Sequence, residues 1–99
     1  MPRENPEVYV PCRICRKTNK GIFGNEQEVV IGDKDAPIIV EPFFLYKTDI
    51  EEPVIKAEEI SRSKGMVEIA IANSRGEYAL RKVAVDDLID PNKVTSFSV

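Results

Sequence analysis

Turn-forming residues interrupt this chain at short, regular intervals, and this spacing most limits the folds open to it. Clusters such as TNKG, GDKDAP and NSRG separate short segments rich in β-branched and aromatic residues. The clusters recur roughly every eight to twelve residues, which is typical of small β-sandwiches and barrels. Because no repeat, low-complexity tract or linker divides the 99 residues, we expect a single compact domain over residues 1–99, with residues 1–6 as a disordered tail.

The segments between the turns predict about five to seven short strands. The clearest is MVEIAIANS, where Val67, Ile69 and Ile71 alternate with small or charged residues. A turn over residues 73–76 leads into a partner strand over 77–85, and a slip in its alternation predicts a β-bulge or a sharp bend between Leu80 and Val83. PIIVEPFFLY is interrupted by a proline and predicts two strand pieces or one bent edge strand.

Residues 48–65 carry signals of both helix and strand. Thr48 and Glu51 match a capping box and Gly65 could follow a last helical turn, whereas Pro53 and a ragged apolar pattern fit a strand equally well. We expect one short helix or helical turn near 57–64 and another at 86–89, capped by Asp86. The predicted fold class is mostly β, with α+β as the alternative. It is a small antiparallel barrel or an open meander, and an SH3-like barrel is the first guess.

Histidine is absent from the chain, and this excludes several kinds of chemistry within one protomer. Ser-His-Asp triads, Cys-His pairs and histidine-ligated catalytic zinc all require it. The 17 acidic residues single out no catalytic pair. These observations favour a non-enzymatic protein that carries no cofactor.

Charge is unevenly distributed along the sequence. Residues 1–20 have a net charge of +3, within a chain whose total is −3. The acidic remainder disfavours nucleic-acid binding, since that binding depends on neutralising phosphates. The basic segment could still contact an acidic protein surface.

The compartment is predicted from what the sequence lacks. The N-terminal MPRENPE has no apolar core of a signal peptide, and no apolar run approaches the ~18 residues of a membrane helix. With only two cysteines and no export signal, we expect a cytoplasmic protein with no membrane partner.

Both cysteines lie in one C-x-x-C motif, within VPCRICRKTNKG. Cys12 and Cys15 make half of a structural zinc site, so the chain would have to share the metal with a second copy. Neighbouring cations would favour a redox-active thiolate, but RKTNKGIFGN is a poor helix, and redox dithiols usually open one. The third interpretation is structural: Cys12 shares the face of Val8 and Val10 and belongs to the core.

From these patterns we expect a small, non-enzymatic binding or regulatory module. It would contact a protein partner, or a second copy of itself, through its basic N-terminal edge and an exposed sheet edge. A dimeric metalloprotein sharing zinc through Cys12 and Cys15 is the first alternative, and a thiol redox or sensor protein is the second. The candidate partner-binding residues are Arg13, Arg16, Lys17, Lys20, Phe43 and Phe44.

Overall fold

The structure, a computed structural model, describes residues 6–17, 26–32 and 36–96. Short strands dominate these residues, and no α-helix is found among them, which confirms the mostly β class. The strands are β1 Glu7–Pro11, β2 Arg13–Lys17, β3 Gln27–Val30, β4 Ile38–Val40, β5 Leu45–Thr48, β6 Pro53–Ser63, β7 Met66–Ala72, β8 Tyr78–Ala84 and β9 Val94–Ser96. Single 3₁₀ turns occupy Pro42–Phe44, Val85–Asp87 and Pro91–Lys93.

The strands form two antiparallel sheets. The larger sheet has the order β8-β7-β6-β5-β9, and β1 also pairs with β6. The smaller sheet has the order β2-β3-β4. Since the described strands do not close into one barrel, the open arrangement is the predicted alternative that the structure supports. The SH3-like barrel stays a first guess.

Strand β6 is the centre of the larger sheet, because it has partners along both edges. Ile55 pairs with Val10 of β1 and with Leu45 of β5. Further along, Glu58 pairs with β1 again and with Ala70 of β7. Strands β5 and β7 therefore share one edge of β6, and β1 occupies the other.

The helix predicted near residues 57–64 is wrong, because β6 runs through Ser63. Gly65 does adopt a positive φ of 78°, but Lys64 before it also has a positive φ, of 55°. Two consecutive positive φ values make a two-residue hairpin turn of type I′ rather than a helix end. The ragged apolar pattern of β6 reflects its pairing with β1, β5 and β7 along different parts of its length.

The second helical turn is confirmed as the 3₁₀ turn Val85–Asp87, one residue before the predicted start. The capping role of Asp86 is wrong, since the residue before the turn is Ala84 and no side chain caps it. PIIVEPFFLY forms two strand pieces, β4 and β5, with a 3₁₀ turn between them, as one of the two alternatives predicts.

The hairpin of β7 and β8 keeps an unbroken register from Met66 with Ala84 to Ala72 with Tyr78. The bulge predicted between Leu80 and Val83 is therefore wrong. The irregular alternation of apolar residues in β8 has another explanation. Leu80 is 54% exposed although it is apolar, and the Arg81 guanidinium donates through Nη2 to the carbonyl of Ala36 at 3.1 Å.

The hydrophobic core lies where the two sheets meet. Val67, Ile69 and Ile71, which alternate along β7, are fully buried, as their pattern predicts. Val29 and Val40 contribute from the smaller sheet and are also fully buried. This two-layer arrangement gives a short, mostly β chain an apolar interior.

Of the tail predicted to be disordered, residues 1–5 lie outside the described part of the chain. The Pro6 carbonyl accepts a hydrogen bond from the Glu59 backbone amide at 2.9 Å, which extends the contact between β1 and β6.

Candidate functional site: the thiols, two sheet edges and a cleft

Cys12 lies where the chain leaves the larger sheet and enters the smaller one. Its backbone amide donates to the Pro53 carbonyl at 3.2 Å, and its side chain packs against the core. Burial raises the pKa of the Cys12 thiol from 9.0 to about 12. The thiol therefore stays protonated near neutral pH, whereas redox attack and zinc binding both require the thiolate.

Cys15 has different surroundings, because it is the extra residue of a bulge in β2. Ile14 pairs with Val29 and Arg16 pairs with Glu28, which leaves Cys15 between them without a partner in β3. Cys15 is exposed, and both cysteines are free thiols. Cys15 lies within strand β2, which runs to Lys17, so among the described residues neither thiol is placed at a helix N-terminus that could stabilise a thiolate.

A metal centre has few ligands to draw on. Within the described ranges, no group of three or more histidine, cysteine, aspartate or glutamate residues could hold a metal ion. Zinc shared between two copies through Cys12 and Cys15 stays a prediction.

The basic N-terminal edge predicted from the sequence corresponds to strand β2. This strand lies at one end of the smaller sheet and carries Arg13, Arg16 and Lys17, with Arg13 exposed. Lys20, the fourth predicted cation, lies outside the described residues. A bulge and a high density of cations are both features that discourage another strand from pairing with an edge.

Arg13 also stands at a cleft of about 600 Å³ between the two sheets. Val10, Cys12 and Val83 contribute to its walls, and Lys82 and Asp87 supply further charges. Because the Cys12 thiol is protonated near neutral pH, it supplies no thiolate nucleophile to this cleft.

Phe44, another predicted contact residue, belongs to a different surface. Its ring packs against the core, and the Lys56 ammonium lies 5.9 Å from the ring centroid. Phe44 lines a separate hollow together with Tyr78, away from Arg13. The side chain of Phe43 lies outside the described part, so the structure does not unite the aromatic and basic candidates in one site.

Strand β8 forms a second edge, which sequence reasoning missed because it expected a bulge there. Among the described residues, β8 pairs only with β7, and it is regular over its seven residues. At its two ends, the Val85 amide donates to Gly65 at 2.9 Å and the Asn73 amide donates to Glu77 at 2.8 Å.

These two hydrogen bonds fix the orientation of every backbone group in β8. Hydrogen-bonded and non-bonded pairs alternate in an antiparallel ladder, so the odd-numbered residues of β8 bond to β7. The N–H and C=O groups of Tyr78, Leu80 and Lys82 must then point outward, away from β7. In agreement, the Leu80 carbonyl accepts from the Arg81 Nη1 at 2.8 Å.

The same residues present their side chains on the outer face of the sheet. Tyr78 is 59% exposed and Leu80 is 54% exposed. The β8 edge, defined here as the outward backbone groups and exposed side chains of Tyr78, Leu80 and Lys82, thus combines outward hydrogen-bonding groups with apolar surface, and of these groups the Leu80 carbonyl accepts a side-chain hydrogen bond from Arg81. An edge of this kind is a template for strand addition.

Comparison of the chain with protein-family models, curated proteins and solved structures finds no match. No helix long and apolar enough to cross a membrane occurs in the described segments.

Proposed function

We propose that the protein is a non-enzymatic binding module that recognises a protein partner by adding one of the partner's strands to the β8 edge. The observation that carries the proposal is the outward direction of the backbone groups of Tyr78, Leu80 and Lys82 on a regular strand that has a free side among the described residues. Main-chain hydrogen bonds would provide affinity, and the side chains on alternate positions would provide selectivity.

The two edges differ in how well they would accept a strand. Strand β2 has a bulge at Cys15 and three cations among five residues. Strand β8 has neither a bulge nor a proline. We therefore assign strand addition to β8, and to the cations of β2 a supporting, electrostatic role toward an acidic partner surface. The cytoplasmic location expected from the sequence forms part of this proposal.

A pair of substitutions at one position tests strand addition. Leu80→Pro removes an N–H that points away from β7, so it should block the edge and leave the β7–β8 ladder bonded. Leu80→Ile keeps the N–H and an apolar side chain. We expect a cross-linked partner to be captured from native lysate by the wild type and by Leu80→Ile, and to be lost with Leu80→Pro.

Equal capture by all three proteins would contradict a role for the β8 edge. Binding would instead be assigned to the basic edge if three results were found together. Capture would fall steeply with salt, it would be lost with Arg13→Glu, and it would be unchanged by Leu80→Pro.

A further inference from the structure

We infer that the β8 edge pairs with the β8 edge of a second copy of the chain, in an antiparallel register centred on Leu80, when no other partner occupies it. This inference rests on the proposed function, because it uses the same edge, and it adds the identity of the occupant and a mode of regulation. A partner would then compete with self-association.

The first argument is that such an edge needs cover. Exposed, regular, apolar edge strands promote uncontrolled pairing, and proteins protect them with bulges, prolines, charges or a covering element. The β2 edge has a bulge and cations. The β8 edge has Lys82 on its exposed face and the Arg81 guanidinium on its Leu80 carbonyl, but its two large side chains are both more than half exposed. A second copy of the chain can cover this edge, because it is always present wherever the protein is, at the protein's own concentration.

The second argument is that the edge is complementary to itself. A two-fold axis at Leu80 places Leu80 opposite its own copy and Tyr78 opposite Lys82 of the other chain. The first contact joins two apolar side chains, and the second brings an ammonium beside an aromatic ring. All of these residues have outward N–H and C=O groups, so the pairs exchange backbone hydrogen bonds. The Leu80 carbonyl already accepts from Arg81 Nη1, and its second lone pair is left for the N–H of the other chain.

Neighbouring registers are worse. Moving the axis to Arg81 sets two arginines directly opposite each other, and like charges in that position destabilise a sheet. Moving it to Ala79 pairs strand residues only over 78–80, because the turn preceding Tyr78, with Gly76 at a φ of 81°, then faces the rest of the partner strand.

Charges at the two ends of the strand are compatible with the register centred on Leu80. Arg75 lies in the turn before β8, and Asp86 and Asp87 lie in the 3₁₀ turn after it, all three of them exposed. An antiparallel pair centred on Leu80 brings Arg75 of each chain toward the acidic turn of the other. The interface is therefore isologous, with unlike charges at both ends.

Sedimentation over a concentration series tests the association. The wild type and Leu80→Ile should form dimers with similar dissociation constants. Leu80→Pro should raise the dissociation constant by roughly tenfold or more, because the N–H of residue 80, on the two-fold axis, is lost from each chain. A wild type that stays monomeric throughout, or a dimer that Leu80→Pro leaves intact, would overturn the inference.

Disulfide trapping tests the register and does not depend on how well the proline variant folds. In a Cys15→Ser background, Leu80→Cys should oxidise to a covalent dimer, because directly paired residues have Cα atoms about 5.5 Å apart. Lys82→Cys should not, since its copies lie more than ~10 Å apart along the strand. A covalent dimer from Arg81→Cys and none from Leu80→Cys would show that the inferred register is wrong.

These outcomes separate the inference from the proposed function. Monomeric protein whose partner capture is lost with Leu80→Pro would refute self-pairing and leave the binding function standing. Dimers lost with Leu80→Pro, together with capture that the substitution does not change, would support self-pairing and refute the proposed use of the edge by a partner.

Discussion

At the scale of single residues, Cys12 and Cys15 show how position in a strand decides the chemistry of a motif. Cys12 packs against the core, and burial holds the pKa of its thiol at about 12. Cys15 is the exposed, bulged residue of β2. A C-x-x-C motif that spans the step between two sheets therefore presents two thiols with unequal accessibility.

The raised pKa of Cys12 predicts a pH dependence of stability. In the unfolded chain the thiol loses its proton near pH 9.0, whereas in the folded protein it keeps it until about pH 12. Its contribution is thus complete below pH 9.0 and is lost as the pH rises toward about 12. The slope due to this group is at most ~1.4 kcal/mol per pH unit.

Urea unfolding between pH 7 and 11 measures this slope. Cys12→Ala should flatten the alkaline decrease in unfolding free energy, and Cys15→Ala should leave it as in the wild type. Other groups also titrate in this range, so the comparison among the three proteins carries the result. Identical slopes for Cys12→Ala and the wild type would contradict the burial of the thiol.

Asn73 predicts a second effect at the residue scale. Its Oδ1 accepts from the backbone amides of Arg75 at 2.9 Å and Glu77 at 3.0 Å, which closes the turn before β8. Asn73→Ala removes the acceptor and should lower the unfolding free energy by about 1 kcal/mol, because both bonds are near the surface. Asn73→Asp keeps an acceptor and should lose less, as urea midpoints would report.

At the scale of elements, the hairpin of β6 and β7 explains both a success and a failure of sequence reasoning. β7 is recognisable because Val67, Ile69 and Ile71 alternate on one buried face. β6 is not, since only its first half is buried and its pairing register with β7 shifts at a bulge between Glu59 and Ser61. Local pattern could not distinguish it from a helix, because the strands that bury it come from elsewhere in the chain.

The Lys64–Gly65 turn makes a prediction at this scale. Both residues have positive φ values, 55° and 78°, and asparagine is better suited than lysine to the first position of a type I′ turn. Lys64→Asn should raise the unfolding free energy by ~0.5–1 kcal/mol, by relieving backbone strain.

Gly65→Ala is the matched comparison in the same turn. A Cβ at this position meets no atom within 4 Å, so any loss of stability is due to the backbone conformation alone. We expect thermal unfolding to move up for Lys64→Asn and down for Gly65→Ala. A lower transition temperature for Lys64→Asn would argue against the I′ geometry.

At the scale of the whole molecule, the sequence predicted strand content, several turns and the 3₁₀ turn after β8. It could not predict which strands pair, because nothing local in EVYVP indicates that β1 joins β6. The β8 edge was hidden for a related reason: Leu80 interrupts the apolar alternation, and only the pairing register shows that it is exposed on a regular strand. Two of the residues predicted for partner contact, Arg13 and Phe44, line different hollows of the folded chain.

The pairing of β6 has a consequence for the order in which the chain folds. β6, β7 and β8 are joined by short turns, so their contacts close small loops, whereas β1 and β9 reach partners far away in sequence. Small loops cost less entropy to close, so we expect the β6-β7-β8 meander to form in the rate-limiting transition state.

Stopped-flow kinetics would locate this nucleus. Ile69→Ala should cost about 2–5 kcal/mol in unfolding free energy and act mainly by slowing refolding. Val10→Ala in β1 should act mainly by speeding unfolding, because β1 docks after the barrier. This order would be contradicted if both substitutions divided their effect on the unfolding free energy equally between the refolding and unfolding rates. If this order holds, β1 is the last strand to pair with β6 and the first to detach when the protein is destabilised. The basic residues and cysteines that directly follow β1 would then be the first to lose their anchor on the larger sheet.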